Sequence, residues 1–292
     1  MEVAVFAKHL QAWPLEECAD RVRAAGFDGL DLTVRPGGYV EPGDGFDRRF
    51  AATVKSVRAA GLSVPLITTG ITSALDPAAP ATMHTAADLG IKELKLHYWP
   101  WDAKTPLSDA IDDANRELDG LEAIAMKAGV RINLHNHSGD FVTHSAAAMT
   151  QLLHDRDPDV VGAYLDPAHF TLEGGLAGWR SSVHVLAGRA TLLAVKDFRW
   201  IDVNGPADGP QERRWVPVGT GNVPFTEVMK ILDAAGFDGP VSIHAEYQGR
   251  WSWRELDAAA VLAQAVADRA AFHAYIPRVA EIALTARDAK IE

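Results

Sequence analysis

The feature that most constrains the fold is a regular alternation of short apolar runs with longer alanine-rich stretches, repeating about every 30 to 35 residues. Eight apolar runs are predicted to be strands, at 3–7, 29–33, 63–68, 93–97, 130–137, 160–166, 191–197 and 240–246. Eight amphipathic stretches are predicted to be helices, at 15–25, 47–60, 77–89, 107–128, 145–155, 176–187, 224–235 and 254–275. Strands that each lead into a helix are typical of a closed parallel barrel. We therefore predict an α/β fold, a (β/α)8 barrel that forms a single domain over residues 1–292.

Glycines lie between the predicted helices and the strands that follow them, as expected for a repeated βα unit. Gly26, Gly61, Gly129 and Gly236 each come directly after a predicted helix, where glycine adopts the left-handed conformation that ends a helix at little cost. An open doubly wound sheet is the main rival fold, and it would place a glycine-rich phosphate loop after the first strand. Residues 8–14 follow that strand and contain no glycine, so the barrel is favoured.

Composition excludes several classes of protein. The chain of 292 residues is 48% hydrophobic and 23% charged, which supplies a large core and excludes intrinsic disorder. No apolar run reaches the roughly 18 residues of a membrane-spanning helix, and no export signal is evident at the start of the sequence. The net charge of −11 disfavours nucleic acid as a partner, and the single cysteine, Cys18, fits a reducing compartment. We expect a cytoplasmic protein without nucleic-acid or membrane partners.

Histidines concentrate at one end of the predicted strands. The chain has 11 histidines, and five lie at or just past predicted strand ends: His97, His135, His137, His169 and His244. The carboxyl ends of parallel strands meet at one mouth of a barrel, where the active sites of such barrels lie. This concentration therefore predicts a functional site at that mouth.

Two segments carry candidate metal ligands. In INLHNHSGDF (132–141), His135 and His137 are two residues apart and share a strand face, so both could reach one divalent ion; the alternative is that one is a hydrogen-bonded core histidine. In YLDPAHF (164–170), Asp166 and His169 form a plausible ligand pair, or a ligand with an acid–base group. The alternative is that Asp166 caps the following helix.

Two further segments carry candidate acid–base groups. In LLAVKDF (192–198), Lys196 is predicted to face the mouth, where burial would lower its pKa and make it an acid–base or imine-forming amine; the alternative is an ion pair with a carboxylate. In VSIHAEY (241–247), His244 and Glu246 share a face, so either could bind metal while the other transfers a proton. A structural salt bridge between them is the alternative.

Candidate substrate-binding residues lie on loops after the strands. Arg35 and His97 could hold a hydroxyl or carboxylate, and Trp101, Phe198 and Trp251 could stack on a sugar ring. The alternatives are an ordinary loop charge and aromatic side chains that cover the mouth or an oligomer contact. A homo-oligomer is therefore also left open.

The four segments with candidate ligands resemble the xylose isomerase-like TIM barrels, known as sugar phosphate isomerases and epimerases. The resemblance extends from DLTVRPGG (31–38) through VGTGNVPF (218–225) to the last strand. It implies a divalent metal bound by a glutamate, an aspartate, a histidine and a glutamate from strands five to eight. It also implies proton transfer next to the carbonyl of a keto sugar.

The sequence departs from the ligand pattern of that family at three of four positions. His135 stands where the first glutamate is expected, Asp166 matches the aspartate, Ala194 replaces the histidine, and His244 stands at the last glutamate. The resemblance therefore implies a site of His135, Asp166 and His244 for Mn, Mg, Zn or Co. Three ligands with open positions suit a catalytic metal.

These observations predict a metal-dependent sugar isomerase or epimerase with Lys196, Glu246, His169 and His137 as candidate catalytic residues. A keto-sugar or 3-keto-glycoside lyase, hydratase or deglycosidase on the same site is the first alternative. A non-catalytic sugar-binding subunit that has lost its metal is the second alternative, supported by the replacement of the family's metal-binding histidine by Ala194. A nuclease is disfavoured by the acidic charge. No strongly basic pocket is visible in the sequence, so an unphosphorylated carbohydrate is the expected substrate.

Overall fold

The computed structural model describes residues 1–202 and 211–276, and these residues contain a closed barrel of eight parallel strands. The barrel strands are β1 (Val3–Phe6), β2 (Gly29–Val34), β3 (Leu66–Thr69), β4 (Glu93–Lys95), β5 (Arg131–His135), β6 (Val161–Leu165), β7 (Ala190–Val195) and β10 (Val241–Ile243). Between β7 and β10 the chain forms a separate antiparallel hairpin of β8 (Asp197–Asp202) and β9 (Gln211–Val216). Around the barrel the order is β1-β10-β7-β6-β5-β4-β3-β2, closed by the pairing of β1 with β2. The predicted fold class is confirmed.

Within the described residues eight α-helices surround the barrel, seven of them between strands and the eighth after the last strand. They are α1 (Leu15–Ala24), α2 (Phe46–Ala59), α3 (Ala78–Asp88), α4 (Leu107–Ala128), α5 (Ala146–Leu153), α6 (Pro167–Leu186), α7 (Phe225–Ala234) and α8 (Ala258–His273) in the described part of the chain. Their apolar faces are buried, as in α4, where Ile111, Leu118 and Leu121 are in the core. At the end of α4, Gly129 has φ +74° and its N–H donates to the carbonyl of Ala125, as expected for a glycine cap.

Helix α6 begins at Pro167 and not at residue 176, where the sequence predicted its start. The Asp166 side chain accepts hydrogen bonds from the N–H groups of Ala168 and His169, and proline at the first helical position costs no hydrogen bond. Gly175, with φ +55° and ψ −142°, interrupts the helix. The amphipathic pattern of 176–187 therefore marked only the second half of this helix.

The hairpin β8–β9 was not predicted. The predicted strand at 191–197 is split, because β7 ends at Val195 and Asp197 begins β8. Lys196 lies at this junction, where the chain leaves the barrel. The predicted last strand is also shorter, so His244 and Glu246 lie beyond β10 on the loop.

Asp197 holds the loop after β9 in place. Its carboxylate accepts hydrogen bonds from the N–H groups of Phe198 (2.8 Å), Gly219 (3.0 Å), Gly221 (2.9 Å) and Val223 (3.1 Å). Burial raises the pKa of this carboxyl despite these donors. The carboxylate is therefore the acceptor that orders the segment leading into α7.

The Asp197→Ala variant is expected to lower the free energy of unfolding by about 3 kcal/mol, because several buried N–H groups lose their acceptor. Urea unfolding of the two proteins measures the difference. Asp233→Ala, at the exposed end of α7, is the control and should change stability by less than about 0.5 kcal/mol. Equal stability of Asp197→Ala and the unaltered protein would contradict this role.

The barrel interior is layered. Leu66, Tyr164, Leu192 and Ala194 are buried and form a cluster of their own inside the barrel, separate from the core between strands and helices. Since side chains alternate along a strand, Lys196 follows Ala194 on the same face, one step closer to the carboxyl end. This apolar layer therefore lies directly below the polar residues of the mouth.

In the described residues, no helix combines the length and apolar character needed to cross a membrane. The assignment of all 292 residues to one domain stays a prediction, as do the cytoplasmic location and a homo-oligomer. Residues 203–210 and 277–292 lie outside the described part of the chain.

Candidate metal and substrate site

A cavity of about 160 Å³ lies at the carboxyl ends of the strands. Each barrel strand, or the segment just after it, contributes to its wall; the lining residues are Phe6, Lys8, Arg35, Thr68, Lys95, His97, Tyr98, His135, His137, Tyr164, Lys196, His244 and Glu246. The volume corresponds to about five water molecules. The cavity is thus suited to a small molecule.

Three buried side chains in the site offer ligand atoms to one point. His135, Asp166 and His244 each present one ligand atom, and the three atoms lie within 4.8 Å of one another. His135 Nε2, Asp166 Oδ2 and His244 Nδ1 are buried without a hydrogen-bond partner; among the described residues only three other side-chain atoms, in His9, Arg189 and Arg213, share that condition. Burying a nitrogen without a hydrogen-bond partner is costly, and a divalent ion would satisfy both imidazoles and bind the carboxylate oxygen, which otherwise faces Lys196 Nζ at 3.2 Å. The residues therefore fit the metal that the sequence predicted.

Tyr98 orients the first of these ligands. Its hydroxyl lies 2.9 Å from His135 Nδ1, which leaves Nε2 directed toward Asp166 Oδ2 at 3.8 Å. Burial, followed by the positive charge of Lys95, lowers the pKa of His135 well below its ordinary value. The imidazole is therefore neutral at neutral pH, which is the form that binds a metal.

A buried network orients His244. Its Nε2 lies 2.9 Å from the Tyr164 hydroxyl and 3.8 Å from Asp31 Oδ2. Asp31 in turn accepts hydrogen bonds from Thr68 Oγ1 (2.8 Å) and Ser242 Oγ (2.9 Å). With Nε2 engaged by this network, Nδ1 is the atom left for a ligand. A metal-binding histidine commonly has its second nitrogen held in this way.

Asp166 has two functions at once. Oδ1 accepts from the N–H groups of Ala168 (2.9 Å) and His169 (3.2 Å) at the start of α6, while Oδ2 faces the ligand cluster. The helix cap that the sequence left as an alternative is thus present, and it positions the second oxygen. Burial raises the pKa of Asp166 even though Lys196 opposes this.

Lys196 forms ion pairs with carboxylates, which is the alternative that the sequence left open to a lowered pKa. Its Nζ lies 3.2 Å from Asp166 Oδ2, 3.2 Å from Glu246 Oε1 and 2.8 Å from His169 Nε2. Burial alone would lower the pKa of Lys196, but the two carboxylates raise it above the ordinary value. Burial likewise favours a protonated Glu246, yet Lys196 and His244 hold the Glu246 pKa well below its usual range.

The two remaining histidines of the predicted acid–base set differ in position. His169 is behind the wall, with Nδ1 2.8 Å from Ser138 Oγ and Nε2 against Lys196. His137 lines the cavity, and its Nδ1–H donates to the Ser138 carbonyl at 2.8 Å. Burial and Lys196 lower the pKa of His137 to about 3. His137 is therefore neutral at neutral pH, with Nε2 as its proton acceptor.

Only part of the predicted substrate-binding set lines the cavity. Arg35 and His97 are on its wall, but Trp101, Phe198 and Trp251 are not. These three aromatic residues do not line this cavity, and their stacking on a sugar stays a prediction. Trp101 lines a separate groove beside α4, Phe198 in β8 is fully buried, and the guanidinium groups of Arg213 and Arg250 lie over the ring of Trp251.

Sequence reasoning missed several polar residues of the site. Asp31, Lys95 and Tyr164 are almost fully buried at the mouth and were not among the predicted site residues. A signal was present, since Lys95 is two residues before His97 and Tyr164 two before Asp166, and side chains two apart share a strand face. A charged residue inside an apolar run was a further signal for Asp31 and Lys95.

The xylose isomerase-like TIM barrel family model matches residues 19–267, so the chain belongs to this family. The resemblance predicted from the sequence is confirmed. None of the curated proteins matches the chain.

Solved structures share the fold over almost the whole chain. An L-ribulose 3-epimerase is 19% identical, with 98% of each chain covered and a TM-score of 0.73. A xylose isomerase-like TIM barrel protein from Mycobacterium smegmatis, in complex with magnesium, is 16% identical, with 95% of this chain and 97% of that chain covered and a TM-score of 0.69. A 3-keto-D-glucoside 4-epimerase from E. coli is 16% identical, with coverage of 92% and 99% and a TM-score of 0.65.

Proposed function

We propose that the protein is a metal-dependent enzyme of the sugar isomerase and epimerase type, which removes a proton next to the carbonyl of a small keto sugar. One observation carries the proposal: His135, Asp166 and His244 are buried and each offers a ligand atom within 4.8 Å of the other two, while His135 Nε2 and His244 Nδ1 have no hydrogen-bond partner among the described residues. Family membership and the sugar epimerases among the similar folds support it. The small volume of the cavity supports a monosaccharide-sized substrate.

The proposed metal ligands are His135, Asp166 and His244. When bound, a divalent ion would polarise the substrate carbonyl and stabilise the oxyanion that proton removal creates. Of the candidate ions Mn, Mg, Zn and Co, two imidazoles favour the transition metals and zinc over magnesium. The aspartate contributes the one negative charge of the set.

Glu246 is the proposed base and Lys196 the proposed acid. Glu246 lines the cavity and is ionised, because Lys196 lies 3.2 Å away. Protonated Lys196 also lines the cavity and can donate a proton to a substrate oxygen. His169 contacts Lys196 from behind and is proposed as a positioning residue, while His137 is proposed as a second proton acceptor on the wall.

A keto-sugar lyase, hydratase or deglycosidase is the second candidate. The observation in its favour is that the base and the acid are adjacent, with Glu246 Oε1 3.2 Å from Lys196 Nζ. Such a pair can remove a proton and protonate a leaving group on the same side of a sugar. Product mass separates the two activities, because an isomerase keeps every atom of its substrate and a lyase releases a fragment.

Metal content and proton exchange together test the proposed function. The purified protein should hold close to one divalent ion per chain and should exchange the proton next to the carbonyl of keto sugars in deuterated water, dependent on that ion. Exchange that continues after the ion is removed would overturn the metal-dependent mechanism. A metal-free protein that binds sugars without exchange would support the non-catalytic alternative.

Asp31 is expected to tune metal affinity without contacting the ion. The Asp31→Asn variant removes the carboxylate behind Tyr164 and His244, so that His244 Nδ1 is held less firmly for binding. Metal affinity should fall about 10- to 100-fold, measured by competition with a chelator. Asp47→Asn is the matched control, because Asp47 also accepts from a threonine hydroxyl but lies on α2, away from the cavity. Equal affinity in both variants would contradict the role of Asp31.

A further inference from the structure

The cavity wall divides into two halves of different chemistry. The proposed metal ligands and acid–base groups come from the arc of β5, β6, β7 and β10, which are consecutive around the barrel. The other arc, from β1 to β4, contributes Lys8 after β1, Arg35 after β2 and Lys95 in β4. Three cationic residues thus line one half of a single small cavity.

These three cations have no anionic partner in the described part of the chain. Among residues 1–202 and 211–276, no ion pair or hydrogen bond involves the side-chain nitrogens of Lys8, Arg35 or Lys95. Lys95 Nζ instead lies 3.8 Å from the centre of the Tyr98 ring, and Arg35 lies over the ring of Phe6 at 5.9 Å. Aromatic faces stabilise a cation but do not neutralise it.

Lys95 is the most unusual of the three, because it is only 3% exposed. Burial and the charge of Arg35 hold its pKa well below the ordinary value, and Asp31 opposes this without forming an ion pair. Lys196 in the other half is equally buried but touches two carboxylates. Of these two buried lysines of the cavity, Lys196 has carboxylates as counter-charges and Lys95 has none in ion-pair contact within the described residues.

We propose that Lys95 and Arg35, with Lys8 at the rim, form an anion subsite, so that the substrate is a keto sugar carrying a carboxylate or a phosphate. The proposal rests on the proposed function and adds the substrate class. In a cavity of about 160 Å³ the anionic group and the reacting carbonyl must belong to one small molecule that spans the two halves. The anion would supply the counter-charge that Lys95 lacks and would place the carbonyl against the opposite half. This class includes phosphorylated sugars, which the sequence alone disfavoured.

Three matched probes test the subsite by calorimetric binding to the metal-loaded protein: D-fructose, D-fructose 6-phosphate and D-fructuronate. At least one of the two anionic ketoses should bind about tenfold tighter than D-fructose, or more, because each charged hydrogen bond adds that much affinity. The better of the two identifies the group as phosphate or carboxylate. If neither anionic ketose binds tighter than D-fructose, the subsite is excluded.

Variants assign the preference to the proposed residues. Lys95→Met and Arg35→Met should each remove most of the preference for the anionic ketose while metal content stays unchanged. Lys127→Met, on the exposed surface of α4, is the control and should keep the preference. If Lys95→Met does not fold, Arg35→Met and Lys8→Met decide, since both side chains are more exposed than that of Lys95. A preference that survives in the folded variants would overturn the proposal.

The outcomes separate the subsite from the proposed function. Metal-dependent proton exchange on neutral keto sugars, without preference for an anion, would leave the proposed function standing and refute only the subsite. Tight binding of an anionic ketose without any exchange would support the subsite and refute the proposed chemistry.

Discussion

The Asp166→Asn variant is expected to lose the metal and to exchange the substrate proton about a thousandfold more slowly than the unaltered protein. Asp166 supplies the only carboxylate of the proposed ligand set, and its Oδ2 is a buried oxygen without a hydrogen-bond partner in the described part of the chain, beside His135 and His244. An amide nitrogen in the place of Oδ2 has no lone pair to offer a cation. Elemental analysis and deuterium incorporation measure the two effects.

This substitution is informative because it preserves the local structure. The amide oxygen can still accept from the N–H groups that cap α6, so the helix start should be retained. Asp257→Asn is the matched control, because Asp257 caps α8 in the same way, through the N–H of Ala260, and is outside the cluster. A full complement of metal in Asp166→Asn, with Asp257→Asn also unaffected, would refute the proposed ligand set.

The Glu246→Gln variant is expected to retain its metal and to exchange the substrate proton about 10²- to 10⁴-fold more slowly. Glutamine keeps the shape of the side chain and can still accept from Lys196, but it cannot take up a proton. Since Lys196 and His244 hold the pKa of Glu246 well below its usual range, the carboxylate becomes protonated, and so stops acting as a base, only at low pH. Exchange by the unaltered enzyme should therefore fall with decreasing pH only below the usual range of a glutamate.

The control for this prediction is Glu227→Gln on the exposed surface of α7, where the carboxylate pairs with Arg180. It should keep both metal and exchange. Retained exchange in Glu246→Gln would transfer the role of base to another wall residue, with His137 tested next. Loss of metal in Glu246→Gln would instead place Glu246 among the ligands.

The sequence predicted the fold because the relevant signals are local. An apolar run of strand length, an amphipathic stretch and a glycine cap each depend on residues close together in the chain. The rule that the carboxyl ends of parallel strands share one mouth then brought His135, Asp166 and His244 to one place without any knowledge of distances. Local signals failed where a long-range contact decides, as in the hairpin β8–β9, whose two strands pair across residues 203–210.

Charge and orientation at the site depended on tertiary contacts. The sequence left open whether burial lowers the pKa of Lys196 or an ion pair with a carboxylate forms, and two carboxylates from distant segments raise that pKa. Burial without such partners lowers the pKa of Lys95 instead. The direction of a pKa shift depends on which charges pack within a few ångströms, and the sequence does not order those neighbours in space.

By itself the sequence determined the barrel and the mouth at which the site lies, because periodicity and strand direction depend on neighbouring residues, and its resemblance to the family implied the three residues proposed as metal ligands. Only the tertiary structure decided which nitrogen of each histidine has no hydrogen-bond partner, which lysine forms ion pairs and which aromatic side chains do not line the cavity. Those outcomes are set by contacts between strands and loops far apart in the chain, where a displacement of a few ångströms changes a hydrogen bond or an ion pair.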